Sequence, residues 1–506
     1  MNTSLVKLSK SILLVSLLLL VGVGIADSRG ATVARPNIVY ILADDLGYGD
    51  ISRLNPQRGR ISTPHIDRLA KEGITFTDAH SGSSVCTPTR YGLLTGRYAW
   101  RTRLQKGVLD GGSEEPLISA DRLTLPAMMR EQGYTTACIG KWHLGFQSAA
   151  PFERPQKIKG MPVGFPLGMR IVGGPTARGF DYFWGCSNAR TMASLIENDR
   201  VVELLPPVEM LPRLTQRAVD YLGERAADAR SGRPFFLYVA LTAPHLPILP
   251  AAGWKDRSPL GPYGDFVMQT DDSVGEILAS LDRLGLAKDT LVIFASDNGC
   301  SVYAGVQKLE AQEHFPSAWF RGYKSDAWEG GHRVPFFARW PGHVKPGSTS
   351  DALICLGDFM ATTAKLLDVS LPAAAAPDSV SFLSSLLGDV GALGRADIVH
   401  HSALGIFAIR SGRWKLILGG GSGGVSHPTD AEARAQGLPD AQLYDLIADP
   451  GETTNLVHTH RAEAEQLAAL LARYVAQGRS TPGPELANDV EVKLPVLASV
   501  HPQSKP

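Results

Sequence analysis

Asn37-Ile38-Val39-Tyr40-Ile41-Leu42-Ala43-Asp44-Asp45-Leu46-Gly47 is the stretch from which the architecture can be read. An apolar run rich in β-branched residues, with no polar alternation, describes a strand buried on both faces, as in parallel sheets covered by helices. It stops abruptly at two adjacent carboxylates. Asp-Asp before Gly is a common solvated turn, but neighbouring carboxylates repel unless a cation sits between them.

The pattern recurs along the chain. Leu291 to Ala295 runs into Ser296-Asp297-Asn298-Gly299, and Thr135 to Ile139 into Gly140-Lys141-Trp142-His143. Pro234 to Ala240 leads to Thr242-Ala243-Pro244-His245. Any one of these polar residues alone reads as structural or solvated. Together they fit the rule that open α/β sheets bind ligands beyond the carboxyl ends of their strands. The expected fold is α/β: a large mixed, mostly parallel sheet flanked by helices. Thr63 is the expected cap of a helix through Ile66 and Ala70 that stops before Gly73, and helical periodicity covers 215–229 and 266–284. Asp44, Asp45, Asp297 and Asn298 offer hard oxygen ligands, which suit calcium or magnesium and not zinc.

A second stretch carries a different chemistry. Ser83-Ser84-Val85-Cys86-Thr87-Pro88-Thr89-Arg90 continues through an apolar segment to Leu94-Thr95-Gly96-Arg97. A helix is expected from near Thr89, which would set Cys86 at the positive end of a helix dipole and favour an anionic substrate.

The remaining segments organise around these. The Pro- and Gly-rich stretch 147–179 reads as a surface excursion, and 179–185 as a packed return to the sheet. Arg321 to Pro335 contains Lys324, a candidate anion contact, and leads to a strand over 336–340. After about Arg395 the texture changes. A Ser-Gly hairpin over 407–418, the segments Leu443-Tyr444-Asp445-Leu446 and Asp449-Pro450-Gly451-Glu452, and a helix over 461–477 describe a smaller antiparallel sheet plus helix. The expected organisation is a signal peptide over 1–26, a catalytic α/β domain over 35–395 and a C-terminal α+β subdomain over 396–506.

Composition bounds the function. The 506 residues, 44% hydrophobic and 20% charged, suit a large globular protein. Fifty basic and fifty acidic residues cancel, so nothing points to a nucleic-acid partner and anion recognition must be local. Lys7 and Lys10 precede an apolar run, Ile12 to Val23, followed by Gly24-Ile25-Ala26. This reads as a secretory signal and is too short for a stable membrane span, so the chain is expected to be exported, periplasmic or secreted. Five cysteines, an odd number, leave at least one unpaired; Cys138 reads as a buried free thiol, and no pairing is derivable.

Cys-Thr-Pro-Thr-Arg with its Leu-Thr-Gly-Arg extension, Lys-Trp-His, Ala-Pro-His and Asp-Asn-Gly resemble the motifs of the type I sulfatases of the alkaline phosphatase superfamily. The texture is most similar to the branch of arylsulfatase A and N-acetylgalactosamine-6-sulfatase. The resemblance implies that Cys86 is oxidised to formylglycine by a formylglycine-generating or anaerobic sulfatase-maturing enzyme. It implies one Ca2+ held by Asp44, Asp45, Asp297 and Asn298, with residue 86 also touching the metal. By the same resemblance Arg90 and Lys141 hold the formylglycine hydrate, His143 is the base that collapses it, His245 protonates the leaving oxygen and Lys324 binds sulfate. Cysteine itself would be a poor catalyst of this reaction, because a second displacement would be needed to release captured sulfate.

The implied substrate is a sulfated carbohydrate. Ser187 or Asn188 is a candidate polar contact, and Arg190, His314, Trp319, Arg321 and His332 lie in segments expected to meet a glycan. Two rivals remain open at this stage. One is a phosphonate or phosphodiester hydrolase of the same superfamily, and the other a non-catalytic glycan-binding pseudoenzyme.

Overall fold

The run Asn37–Ala43 forms a strand at the centre of a ten-stranded sheet. Parallel to it on one side lies Thr290–Ser296, and on the other Phe235–Ala240, Thr135–Lys141 and Tyr182–Cys186 in turn. Antiparallel strands extend both flanks, Phe336–Arg339 beyond Thr290–Ser296 and Ser194–Glu197 beyond Tyr182–Cys186. The sheet is therefore mixed and parallel at its middle, as expected. The computed structural model describes residues 35–153, 164–389, 391, 394–495 and 497. The expected signal peptide, and residues 154–163 of the expected excursion, lie outside the described residues. Among those described, no helix is long and apolar enough to cross a membrane.

Both faces of the central strands are buried, which is why their sequences do not alternate. Ile38, Tyr40 and Leu42 point into one core together with Phe236, Tyr238 and Ile293. Val39, Ile41 and Ala43 point into the other with Leu237, Val239 and Phe294. The second face is covered by the helices Pro64–Glu72, Met210–Arg230 and Pro262–Arg283, through Ile66, Leu214, Tyr221, Val274 and Ile277. The first carries the helices Cys86–Thr95, Leu125–Glu131 and Phe359–Leu366, through Tyr91, Leu94, Met128 and Phe359. Each fully buried large apolar side chain contributes about 1.5–3 kcal/mol.

Thr63 occupies the N-cap position of the helix that begins at Pro64, as expected, but its side chain makes no capping hydrogen bond. Its hydroxyl accepts from the Ser52 amide (3.0 Å), and the carboxylate of Asp271 takes the amides of His65 (3.1 Å) and Ile66 (2.8 Å) instead. One expected helix start shifts: the helix of the second stretch begins at Cys86, not near Thr89. Pro88 falls in its first turn, where no amide hydrogen is needed, so proline does not delay the start.

Beyond Asp397 a four-stranded antiparallel sheet runs in chain order, Asp397–His401, Phe407–Ser411, Trp414–Ile417 and Gln442–Asp445. The helix Arg461–Ala476 packs on one face through Ala464, Leu467 and Leu471, in a core that also takes in Tyr98 and Trp100. The Thr-Gly-Arg extension explains that junction. Gly96 turns with φ 61° against Ala376 and Ser379, and buried Arg97 reaches both carboxylate oxygens of Asp489 at 3.0 Å. The described residues from Arg35 onward form one compact unit. All five cysteines are buried and unpaired.

Candidate active site

A cavity of about 510 Å³ opens beyond the carboxyl ends of the parallel strands, lined among others by Asp45, Cys86, Lys141, His143, His245 and Lys324. Cys86, only 2% exposed, is the first residue of its helix and lies at the cavity floor with the unsatisfied amides of that helix end. Ligand atoms of Asp44, Cys86 and Asp297 all lie within 4.8 Å of one another.

Three carboxylates and three cations interlock around this point. Lys141 Nζ reaches both oxygens of Asp44, at 2.9 and 2.7 Å. Arg90, completely buried, donates from Nε (3.1 Å) and Nη2 (2.8 Å) to Asp297 Oδ2, and from Nη1 to the Lys141 carbonyl (3.1 Å). Lys324 Nζ lies 2.6 Å from Asp45 Oδ1 and 2.8 Å from Oδ2. Asn298 Nδ2 donates to Asp45 Oδ1 (2.8 Å). Burial opposes ionisation of Asp44, yet Lys141, His245, Arg90 and Lys324 together hold it well below the usual carboxylate range. Burial, reinforced by the charge of Asp44, pushes Asp297 up to about 7.

The two histidines differ in how they are held. His143 Nε2–H donates to the Leu109 carbonyl (2.9 Å), which leaves the Nδ1 lone pair buried and without a hydrogen-bond partner. Burial, with Lys141 and Arg90 nearby, depresses its pKa well below that of free histidine. His245 Nδ1 donates to the Leu246 carbonyl, and its Nε2 lies 3.6 Å from Asp45 Oδ2. Burial lowers His245 to about 4. Asp45, His143 and Ser325 all adopt left-handed backbone (φ 67°, 56° and 85°), a conformation that costs non-glycine residues energy and clusters at functional sites.

The oxygen set fits a hard cation. Asn298 Oδ1 is buried with no hydrogen-bond partner, beside the carboxylates of Asp45 and Asp297. An unpaired buried amide oxygen costs about 1–3 kcal/mol, and a calcium or magnesium ion would satisfy it.

The candidate glycan contacts separate. Asn188 and Arg190 line the cavity. The Asn188 side chain is committed to a turn, accepting from the Arg190 and Thr191 amides (2.9 and 3.0 Å) and donating to the Asp110 carbonyl (3.0 Å). Ser187 is buried, with its hydroxyl on the Gly111 carbonyl (2.8 Å), and its own carbonyl accepts from the His143 amide (2.7 Å). The other four stand away from the cavity. His314 is fully buried between Asp50 Oδ1 (2.8 Å) and the Arg60 amide (3.0 Å). Arg321 lies 3.6 Å over the Trp328 ring and donates to the Glu452 carbonyl. His332 is buried in a second polar cluster, and Trp319, 58% exposed, stacks against Arg58 in a separate surface hollow. Proximity in sequence to Lys324 misplaced them, because the chain around Lys324 turns sharply.

Sequence reasoning missed three contributors. Leu109 acts through its carbonyl, so no side-chain signal announces it. Ser325 carries the strained turn beside Lys324, and Tyr303, 71% exposed, lines the cavity.

A nucleophile-type residue at a helix end, ringed by cations and oxygen ligands at the strand ends of this sheet, defines a class. The chain belongs to the sulfatase family, whose profile, Sulfatase, matches residues 36–369. It is a sulfuric ester hydrolase. Among its relatives, it is 34% identical over 495 residues to the N-acetylgalactosamine-6-O-sulfatase of Bacteroides thetaiotaomicron, covering 88% of this chain and 94% of that one. It is 35% identical over 451 residues to human arylsulfatase A, covering 86% of each. A solved Bacteroides thetaiotaomicron sulfatase, from work on the metabolism of multiple glycosaminoglycans, superposes with a TM-score of 0.75 at 32% identity, over 87% of this chain and 99% of the other. A phosphonate monoester hydrolase from Silicibacter pomeroyi shares the fold alone, at a TM-score of 0.62 and 17% identity.

Proposed function

We propose that this chain is an exported sulfatase acting on a sulfated sugar, with Cys86 matured to formylglycine and one calcium ion held by Asp44, Asp45, Asp297 and Asn298. The observation that carries the reading is the placement of Cys86. It starts a helix at a cavity lined by Asp45, Lys141 and Lys324, with ligand atoms of the buried Asp44 and Asp297 within 4.8 Å of its own. The glycan preference is supported by the relatives named for N-acetylgalactosamine 6-sulfate chemistry and glycosaminoglycan metabolism.

Hydrated formylglycine at position 86, acidified by the cation, would supply an attacking hydroxyl and a second hydroxyl whose deprotonation re-forms the aldehyde as sulfate leaves. Residue 86 would be matured by a dedicated enzyme before the chain closes over it, since the folded cysteine is buried. The chain's own residues do the rest. Lys141 holds Asp44 ionised, and Lys141 and Arg90 orient Asp44 and Asp297. The ion pairs cancel three against three, so the two charges of a bound cation become the site's net field toward a sulfuryl group. His143, fixed as the Nε2–H tautomer by Leu109, offers Nδ1 as a base. His245 is neutral in the empty cavity, and an anionic sulfate beside it would raise its pKa and let it deliver a proton to the leaving oxygen. Lys324 faces the same space and binds the sulfate oxygens.

The decisive measurement is the mass of the tryptic peptide Glu72–Arg90 from exported protein, read beside sulfate release from N-acetylgalactosamine 6-sulfate. An aldehyde in place of the thiol, and loss of release in Cys86→Ala, are the expected results. An intact thiol in fully active protein would overturn the formylglycine reading. Preferential cleavage of a phosphodiester would overturn the choice of ester.

A further inference from the structure

The segment that delivers Cys86 is anchored at its far end by a second buried cluster, built largely from residues outside the cavity. Lys415 Nζ contacts Glu329 Oε1 (3.0 Å), Glu452 Oε1 (2.8 Å) and His332 Nε2 (3.0 Å). His332 Nδ1 lies 3.1 Å from His80 Nδ1, and His80 Nε2 lies 2.7 Å from Asp78 Oδ1. His400 stacks on His332 with ring centroids 3.6 Å apart and 13° between planes, and its Nδ1 lies 3.1 Å from the Ser81 carbonyl.

The proton positions follow from what each partner can do. The Lys415 ammonium, which only donates, lies nearer His332 Nε2 (3.0 Å) than the Ala327 carbonyl does (3.3 Å), so Nε2 accepts from Lys415 and His332 carries its hydrogen on Nδ1. That hydrogen points at His80 Nδ1, which must accept, leaving His80 Nε2–H to donate to Asp78. The Ser81 carbonyl only accepts, so His400 holds its hydrogen on Nδ1. Burial depresses the pKa of all three rings, consistent with neutral imidazoles. Lys415, on a strand of the C-terminal sheet, thus sets the direction of the hydrogen bonds through His332 and His80, and the Ser81 carbonyl sets that of His400.

The cluster holds the segment before Cys86 through the His332 backbone and the His400 ring. The Ser81 amide donates to the His332 carbonyl (2.9 Å) and the Ser81 carbonyl takes the His400 hydrogen. The carbonyl of the next residue, His401, receives the Ser83 hydroxyl (2.7 Å) and the Ser84 amide (3.1 Å). We propose that Lys415, His332, His80 and His400 are positioning residues for the reaction, holding Ser81–Ser84 so that residue 86 meets the sulfuryl group in register. The C-terminal sheet is on this account a working part of the active site, and the buried lysine and Glu452 of the Asp-Pro-Gly-Glu segment serve catalysis without touching substrate.

The inference rests on residue 86 being the reacting group, and its test separates the two. His400→Phe keeps the stack on His332 and removes the hydrogen donated to Ser81. In the matured full-length protein it is expected to speed hydrogen exchange about tenfold or more at Ser81 to Val85 and nowhere else. It should lower kcat for 4-nitrophenyl sulfate or N-acetylgalactosamine 6-sulfate by between about ten- and a hundredfold at unchanged KM and unchanged aldehyde content. His400→Gln, whose amide can donate to the same carbonyl, should recover most of both. Should His400→Phe not fold, Lys415→Met with Glu452→Gln, which removes one charge of each sign, tests the same chain and should give the same local signature. Unchanged exchange at 81–85 in either folded variant overturns the positioning role, whatever the activity. Cys86→Ala retaining turnover would instead overturn the reading beneath it.

Discussion

Two buried clusters flank the Ser81–Cys86 segment, and both hold the residue types from which metal sites are made. At the cavity, ligand atoms of Asp44, Asp297 and Cys86 lie within 4.8 Å of one another, and Asn298 Oδ1 and His143 Nδ1 lack partners. Behind the segment, His80, His332 and His400 are just as close to one another. There, hydrogens pass from Lys415 to His332 to His80 to Asp78, which commits those two rings and leaves His400 Nε2 as the one unpartnered nitrogen of the three imidazoles. The first arrangement is open and asks for a cation and an anion. The second has most of its donors and acceptors matched within the cluster and holds backbone. Proximity of histidines and acids does not make a binding site; convergence of uncommitted lone pairs does.

The largest effect that tests this contrast comes from the open cluster. Asp297→Ala removes a converging oxygen and the partner of Arg90, and should reduce kcat/KM by about 1000-fold, or about 4 kcal/mol, in line with losing cation-assisted stabilisation. Calcium added after chelation should raise the Tm of the parent protein and not that of Asp297→Ala, since only a native-state ligand stabilises. The matching change behind the segment, Asp78→Asn, should cost no more than about tenfold in turnover, because it loosens a support without removing a charge from the reacting centre. Equal losses at both positions would erase the distinction.

How much of this was legible in the sequence follows from the same contrast. Asp44, Lys141, His245 and Asp297 stand just past uninterrupted apolar strands, so one-dimensional order already places them on one edge of the sheet. Cys86 and Arg90 are four residues apart on one helix. These are local relations, and local relations survive in sequence. His332 and His314 lay in plausible segments but point into polar interiors, because their partners, Lys415 for one and Asp50 for the other, come from elsewhere in the chain. Leu109, which fixes the His143 tautomer, contributes only backbone. The Leu-Tyr-Asp-Leu and Asp-Pro-Gly-Glu segments carried no visible chemistry until Glu452 was seen against Lys415.

A smaller effect is expected from breaking the closed cluster alone. Lys415→Met leaves Glu329 and Glu452 buried without their shared cation, and should cost ~3 kcal/mol of unfolding free energy. Adding Glu452→Gln should return part of that loss, because one of the stranded charges disappears. Urea denaturation of the two variants beside the parent checks it. A double variant no more stable than the single one would mean that Lys415 contributes packing and not charge compensation.

The gentlest probe is pH, and its sign follows from which state holds the protons. His80, His332, His400 and His401 are kept neutral by burial, the last down to about 4. Below pH 6.5 the unfolded chain protonates these rings while the native protein does not, so stability falls as pH drops. Glu452, raised to about 7, and Asp271, raised to about 6, both by burial, act in the opposite sense. Each holds a proton in the native state that the unfolded chain has released. Glu276, Asp326 and Asp358, likewise raised by burial, oppose the imidazoles too. The imidazoles, whose ordinary value lies at the top of the interval, dominate between pH 6.5 and 5.5, and each net proton taken up on unfolding is worth about 1.4 kcal/mol per pH unit. With calcium saturating, so that the cavity's own carboxylates and histidines stay fixed, the Tm should therefore decline from pH 7 to 5.5. A Tm that held steady or rose over that interval would mean the imidazoles behind Cys86 are already charged in the native state. The hydrogen chain set by Lys415 would then run differently, and the closed cluster would be as responsive to added charge as the open one.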